Sequence, residues 1–136
     1  MGHWYGVDFD GTLAYYDGWQ GETTFGKPIP TMVRRVQQWL VDGIEVRIVT
    51  ARVGTDNQPH VTDGVGIPAI KEAIQDWCEK HVGKRLPVTC EKDMGMIELW
   101  DDRAVQVVVN TGRPVTEQLP VKWVPKETSS QKNLRS

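Results

Sequence analysis

Apolar and polar positions along this chain follow two periods, and the breaks between them predict its elements. Trp4-Tyr5-Gly6-Val7 reads as a short strand that breaks at Asp8 and turns at Gly11-Thr12. Residues 14–30 are rich in Tyr, Gly, Thr and Pro without a sustained period, which predicts a long flap or small hairpin. From Thr31 to Asp42, Val33, Val36, Trp39 and Leu40 fall on one helical face. Pro30 precedes this run and Gly43 follows it as a left-handed cap, so the segment is a predicted helix. Ile44 to Thr50 alternates and is rich in β-branched residues, giving a second strand that stops at Thr50-Ala51-Arg52. A polar loop over 53–66, with Asp56, Asn57, Gln58 and His60, leads into a second helix from Ile67 to Val82. There Ile67, Ile70, Ile74, Trp77, Cys78 and His81 keep helical spacing before Gly83. Leu86–Cys90 predicts a short strand, Met94–Met96 one turn, Ile97–Trp100 a strand ending in Asp101-Asp102, and Val105–Val109 one strand more.

Strands separated by helices of ten or more residues call for right-handed crossovers. The expected fold class is therefore α/β, with a mainly parallel, three-layer sheet. A chain of 136 residues accommodates one domain with one cleft. We place that domain at 1–115, with the flap at 14–30. A C-terminal extension follows at 116–136, and its end, from Lys126, is polar enough to be disordered. Sixteen basic residues against 18 acidic ones, a net charge of −2, create no global field for nucleic acid or a membrane. Cys78 and Cys90 lie in different segments without CxxC or His-rich spacing, which indicates neither a disulfide framework nor a zinc site. Buried free thiols in a reducing cytoplasm are expected. No apolar run approaches the roughly 18 residues of a membrane span, so a soluble cytoplasmic protein with neither signal peptide nor membrane partner is expected.

Chemistry enters at the strand ends. In chain order these carry Asp8 and Asp10, Thr50, Lys92 shortly before a strand, and Asp101 with Asp102. Taken singly, each has an ordinary explanation: a turn, a strand end, a solvated lysine, a cap. A parallel sheet, however, brings all its strand C-termini to one edge, where open α/β folds bind ligands. Three or four carboxylates gathered there repel one another unless a cation sits among them, and an all-oxygen set suits Mg²⁺. Together with a lysine ammonium and a threonine hydroxyl, such a cation neutralises and orients a phosphoryl group. An aspartate then serves as nucleophile, and one of two neighbouring carboxyl groups retains a proton for the leaving oxygen.

The segments Val7-Asp8-Phe9-Asp10-Gly11-Thr12-Leu13, Ile48-Val49-Thr50-Ala51-Arg52, Lys92, and Leu99-Trp100-Asp101-Asp102-Arg103-Ala104 resemble the four motifs of the haloacid dehalogenase-like (HAD) superfamily, in order and spacing. The resemblance covers residues 4 to about 110. It implies a Rossmann-like core with Asp8 as nucleophile and Asp10 as general acid and then base. Thr50 and Lys92 would hold the phosphoryl oxygens. Mg²⁺ would bind the Asp8 carboxylate, the Asp10 backbone carbonyl and Asp101, with Asp102 supporting the metal or its water. The second acid, Asp10, is carried by the superfamily's phosphatases and phosphotransferases and is missing from its dehalogenases, so the resemblance implies phosphate chemistry. Asp93 follows Lys92 where proline is common in the motif, and Lys84 is the other lysine the position admits. Neither the 13–30 nor the 52–92 interval has room for a large cap domain, so the chain resembles the capless branch.

An uncapped site is open, and closure then falls to the flap, a neighbouring subunit or the substrate itself. Tyr15, Tyr16, Trp19 and Phe25 either stack on a sugar or base, or anchor the flap to the core, the commoner use. Asn57, Gln58 and His60 follow the second motif, within reach of a leaving group. Arg52 and Arg103 flank motif residues, as phosphate contacts or as ion-pair partners of the acids. The expected activity is Mg²⁺-dependent hydrolysis of a small phosphomonoester through a phosphoaspartate. One alternative is a nucleic-acid-end phosphatase, supported by Lys122, Lys126, Lys132 and Arg135 in the tail. The other is a non-catalytic phosphate-binding or regulatory module, disfavoured because receiver domains place their acid pair and phosphoacceptor in a different order.

Overall fold

The first strand, β1, is short because its sequence allows only four residues before an acid, and it spans Trp4–Val7. A computed structural model of the chain describes residues 2–54 and 65–116. The described chain separates into two compact units, one ending at Asp101 and one beginning at Asp102.

The first unit is an α/β fold of Rossmann-like design, built on a four-stranded parallel sheet in the order β3-β2-β1-β4. Helix α1 covers Pro30–Val41 and α2 covers Ile67–His81, each opening with proline in its first turn. Strand β2 is Glu45–Val49, β3 only Val88–Thr89, and β4 Met96–Trp100. The predicted helices and the first two strands stand within a residue or two of their expected limits. The register pairs Val7 with Ile48 on one side and with Trp100 on the other, so β4 ends level with β1 and β2 runs one residue further, to Val49. Ile48 and Val49 pair in turn with Val88 and Thr89.

Alternation along the strands separates the faces. Val7, Val46 and Ile48 join Val36 of α1 and Ile70, Ile74 and Cys78 of α2 in one fully buried core. Phe9, also fully buried, meets Trp77 and Phe25 edge-on, with ring centroids 4.9 and 5.1 Å away. Removing a ring of this size from water is worth roughly 1.5–3 kcal/mol. Burial pushes the Cys78 thiol up to about 12, against a smaller opposing pull from Arg85. Cys90 departs from the expected buried state: it is exposed, because it stands just beyond the two-residue β3.

The other face of β1 and β2 carries Trp4 and Arg47, which stack with the guanidinium carbon 4.4 Å from the ring centroid. The connection from β3 to β4 fastens there. The Trp4 indole donates to Asp93 Oδ1 at 2.8 Å, and Arg47 pairs with Asp93 Oδ2 at 3.3 Å. The Trp4 bond first, then the Gly95 N–H and the Arg47 charge, hold the Asp93 carboxyl below the usual carboxylate range. A folded value below the unfolded one stabilises above the unfolded pKa, near 4, and the contribution fades as pH falls through the folded value. Urea unfolding of wild type and Asp93→Asn should therefore show a stability gap at pH 7 that narrows in acid. An equal gap at pH 7 and pH 2.5 would contradict this role.

In the second unit, residues 102–116 form a tight antiparallel turn in which Val107 bridges Pro114 and Val108 N–H donates to Arg113. The strand expected at Val105–Val109 is reduced to this bridge, and Val105, Val107, Val108 and Val109 are exposed. β-Branched composition favours a strand only where a neighbour supplies a ladder and a packed face. The expected disordered end, from Lys126, lies outside the described residues.

Candidate functional site

Three strand ends deliver the site. Asp8 follows β1 directly, Thr50 follows β2, and Asp101 follows β4. The Asp8 N–H donates to the Trp100 carbonyl at 2.8 Å and the Thr50 N–H to the Thr89 carbonyl at 2.8 Å. Each residue is thus clipped to the neighbouring strand at the point where the ladder ends. After Asp8 the chain turns at Gly11, whose φ of 85° falls in the left-handed region that favours glycine. The turn is closed by Leu13 and Ala14 N–H groups, both 2.9 Å from the Phe9 carbonyl. It returns Thr12 to the strand end, where its hydroxyl donates to Asp8 Oδ2 at 3.3 Å.

One oxygen from each of Asp8, Asp101 and Asp102 lies within 4.8 Å of the others, and all three side chains are half-buried. Among the described residues this is the one group of three or more acidic, His or Cys ligands so placed. An all-oxygen set of this charge fits a hard divalent cation, which relieves the mutual repulsion of the carboxylates.

Asp10 belongs to a different cluster. Arg52 grips it with a planar fork: Nε donates to Oδ2 at 2.6 Å and one terminal nitrogen to Oδ1 at 2.9 Å. The Arg52 side chain is only 4% exposed. Its other N–H groups donate to the carbonyls of Gly21 at 2.7 Å, Glu22 at 3.0 Å and Thr24 at 3.3 Å. The rings of Trp19 and Phe25 lie over the guanidinium at 4.6 and 4.8 Å. Thr50, buried, accepts the Arg52 backbone N–H on its own hydroxyl at 3.2 Å, capping the one-turn 3-10 helix Ala51–Val53. That hydroxyl keeps its proton for a second partner.

The flap residues meet the expectations of a small hairpin. Tyr15 N–H donates to Lys27 and Ile29 N–H to Leu13, with Ala14 bridging Pro28. Phe25 anchors the flap on Phe9, whereas Tyr15 and Trp19 are about half exposed. Lys92 is exposed on the connection from β3 to β4, one residue before Asp93, and Lys84 is exposed in the turn after α2. Arg103 is likewise exposed. Asn57, Gln58 and His60, and the basic residues of the tail, lie outside the described residues.

Two features were not anticipated from the sequence: the Thr12 bond to Asp8, and the set of flap carbonyls gathered by Arg52. The first had a signal in the placement of Thr12 just beyond the glycine turn. The second had none, because backbone carbonyls leave no mark in a sequence.

No protein-family model matches the sequence, and neither does any curated protein. Among solved structures the chain is similar to a conserved protein of Bacteroides thetaiotaomicron. The two are 20% identical over 77% of this chain and 79% of that one, with a TM-score of 0.49. Among the described residues no helix is long and apolar enough to cross a membrane. A functional reading therefore rests on this chain's own residues.

Proposed function

We propose that the chain is a Mg²⁺-dependent phosphatase of HAD type that hydrolyses a phosphomonoester. One observation carries the reading: the carboxylates of Asp8, Asp101 and Asp102, remote in sequence, share a space 4.8 Å across at the C-terminal edge of a parallel sheet. The resemblance of four segments to the HAD motifs supports it as well, adding Asp10, Thr50 and Lys92 to the same three acids.

In this reading Asp8, Asp101 and Asp102 hold the cation. Bound there, Mg²⁺ supplies charge neutralisation for a phosphoryl group. Asp8, oriented by the Thr12 hydroxyl, attacks phosphorus. An Asp8 oxygen–phosphorus bond forms as the ester P–O bond breaks, and Asp10 gives its proton to the departing oxygen. Water then attacks the phosphoryl group, passes a proton to Asp10, and frees Asp8. The Thr50 hydroxyl is placed to donate to a phosphoryl oxygen, and Lys92 is the lysine assigned to the same task, with Lys84 its alternative. An open site with no large cap admits the substrate past Tyr15 and Trp19.

The test is hydrolysis of p-nitrophenyl phosphate and of an alkyl phosphate, with Mg²⁺ and with excess EDTA. Turnover of both with Mg²⁺, lost with EDTA, is expected. Asp10→Asn should slow the alkyl ester by about 10²–10⁴-fold, and p-nitrophenyl phosphate far less, because only the poor leaving group needs the proton. No metal-dependent turnover of either ester would refute the proposal, and equal slowing of both would remove Asp10 as the acid.

A further inference from the structure

Arg52 has five guanidinium N–H groups, and the described residues set at least five acceptors around them: both Asp10 oxygens and the carbonyls of Gly21, Glu22 and Thr24. With every donor engaged inside the protein, the side chain has no N–H aimed at a phosphoryl group in this arrangement. Its surroundings describe another job. Two of its bonds end on the group that would transfer a proton, three end on the backbone of the flap, and the rings of Trp19 and Phe25 lie over its plane. Only a guanidinium makes this set of contacts, because an ammonium has three donors and no plane to stack.

We infer that Arg52 is a positioning residue that couples the flap to Asp10, so that the Asp10 side chain and the flap hold or change position together. While the fork is closed, both Asp10 oxygens accept N–H donors, which fixes the plane and direction of the side chain. A turn of Asp10 toward a substrate draws the guanidinium with it. The guanidinium retains its three flap carbonyls, so the flap follows its shift. The catalytic half of this inference rests on the proposed phosphatase reading, whereas the link between Asp10 and the flap rests on geometry alone.

The two halves are tested separately on the full-length protein. Hydrogen–deuterium exchange of the flap amides, residues 19–26, is compared in wild type, Asp10→Asn and Arg52→Lys, with the amides of α2 as the internal reference. Both variants should exchange about tenfold faster in the flap and at the wild-type rate in α2. Unchanged flap exchange in Asp10→Asn would overturn the coupling, and so would equal acceleration in α2, which marks general loosening. For the catalytic half, Arg52→Lys should lower kcat for an alkyl phosphate by about a hundredfold, leave KM within about twofold, and affect p-nitrophenyl phosphate less. A raised KM with an unchanged dependence on the leaving group would instead make Arg52 a phosphate contact. If wild type hydrolyses neither ester, the phosphatase reading fails, and the exchange experiment still decides whether Asp10 holds the flap.

Discussion

Replacing Asp8 by Asn is expected to lower turnover of p-nitrophenyl phosphate by at least about 10⁴-fold while leaving the fold intact. Asparagine matches the shape of aspartate and still accepts the Thr12 hydroxyl, 3.3 Å away in the wild type, but its amide is a far poorer nucleophile. The loss is not a matter of unfolding. Asp8 stands within 4.8 Å of Asp101 and Asp102, so neutralising it removes like-charge repulsion that the metal-free protein must bear. Thermal unfolding in EDTA should accordingly show a midpoint equal to or above that of wild type. Activity within tenfold of wild type would exclude Asp8 as the nucleophile. A lowered midpoint would show instead that the three carboxylates do not oppose one another.

The largest effect on stability is expected at Gly26. A Cβ built there would stand 1.8 Å from the Tyr15 carbonyl oxygen and 2.8 Å from its carbon, so the obstacle is backbone and no rotamer relieves it. Gly26 also accepts the Trp77 indole N–H at 3.1 Å, and the next residue, Lys27, accepts the Tyr15 N–H. An added methyl group forces these two sides of the hairpin apart. It also disturbs the seat of Phe25 on Phe9. Overpacking of this kind costs about 3 kcal/mol, which for a chain of this size lowers the unfolding midpoint by roughly 10 °C. Calorimetry of Gly26→Ala checks the value, and a midpoint within 2 °C of wild type would mean that the hairpin strands do not approach so closely.

The sheet was legible because its signals are local. β1 and β2 announce themselves by alternation, α1 and α2 by apolar residues three and four apart, and α1 also by the proline at its start. Their order implied the parallel sheet, since strands joined through helices return to the same edge. The run Val105–Val109 misled for the same reason: its composition is right for a strand, but a strand also needs a partner, which composition does not record. At the site, sequence reasoning placed Asp8, Asp101 and Asp102 at one edge from topology alone. It left Arg52 open between phosphate contact and ion pair, and no local pattern decides that choice. The structure commits the guanidinium to Asp10, 42 positions away in the chain, and to carbonyls whose positions depend on the whole course of the flap.

The level ending of β1 and β4 has a consequence for how the acidic space is sized. Val7 and Trp100 are direct neighbours in the ladder, so Asp8 and Asp101 spring from backbones held one strand spacing apart, about 4.8 Å. The gap between their roots is a property of peptide hydrogen bonding, indifferent to which side chains occupy the two positions. Exchanging either aspartate for glutamate lengthens an arm without moving its shoulder. The room left for an ion is thus gauged by the sheet, and the side chains decide only what charge the room presents.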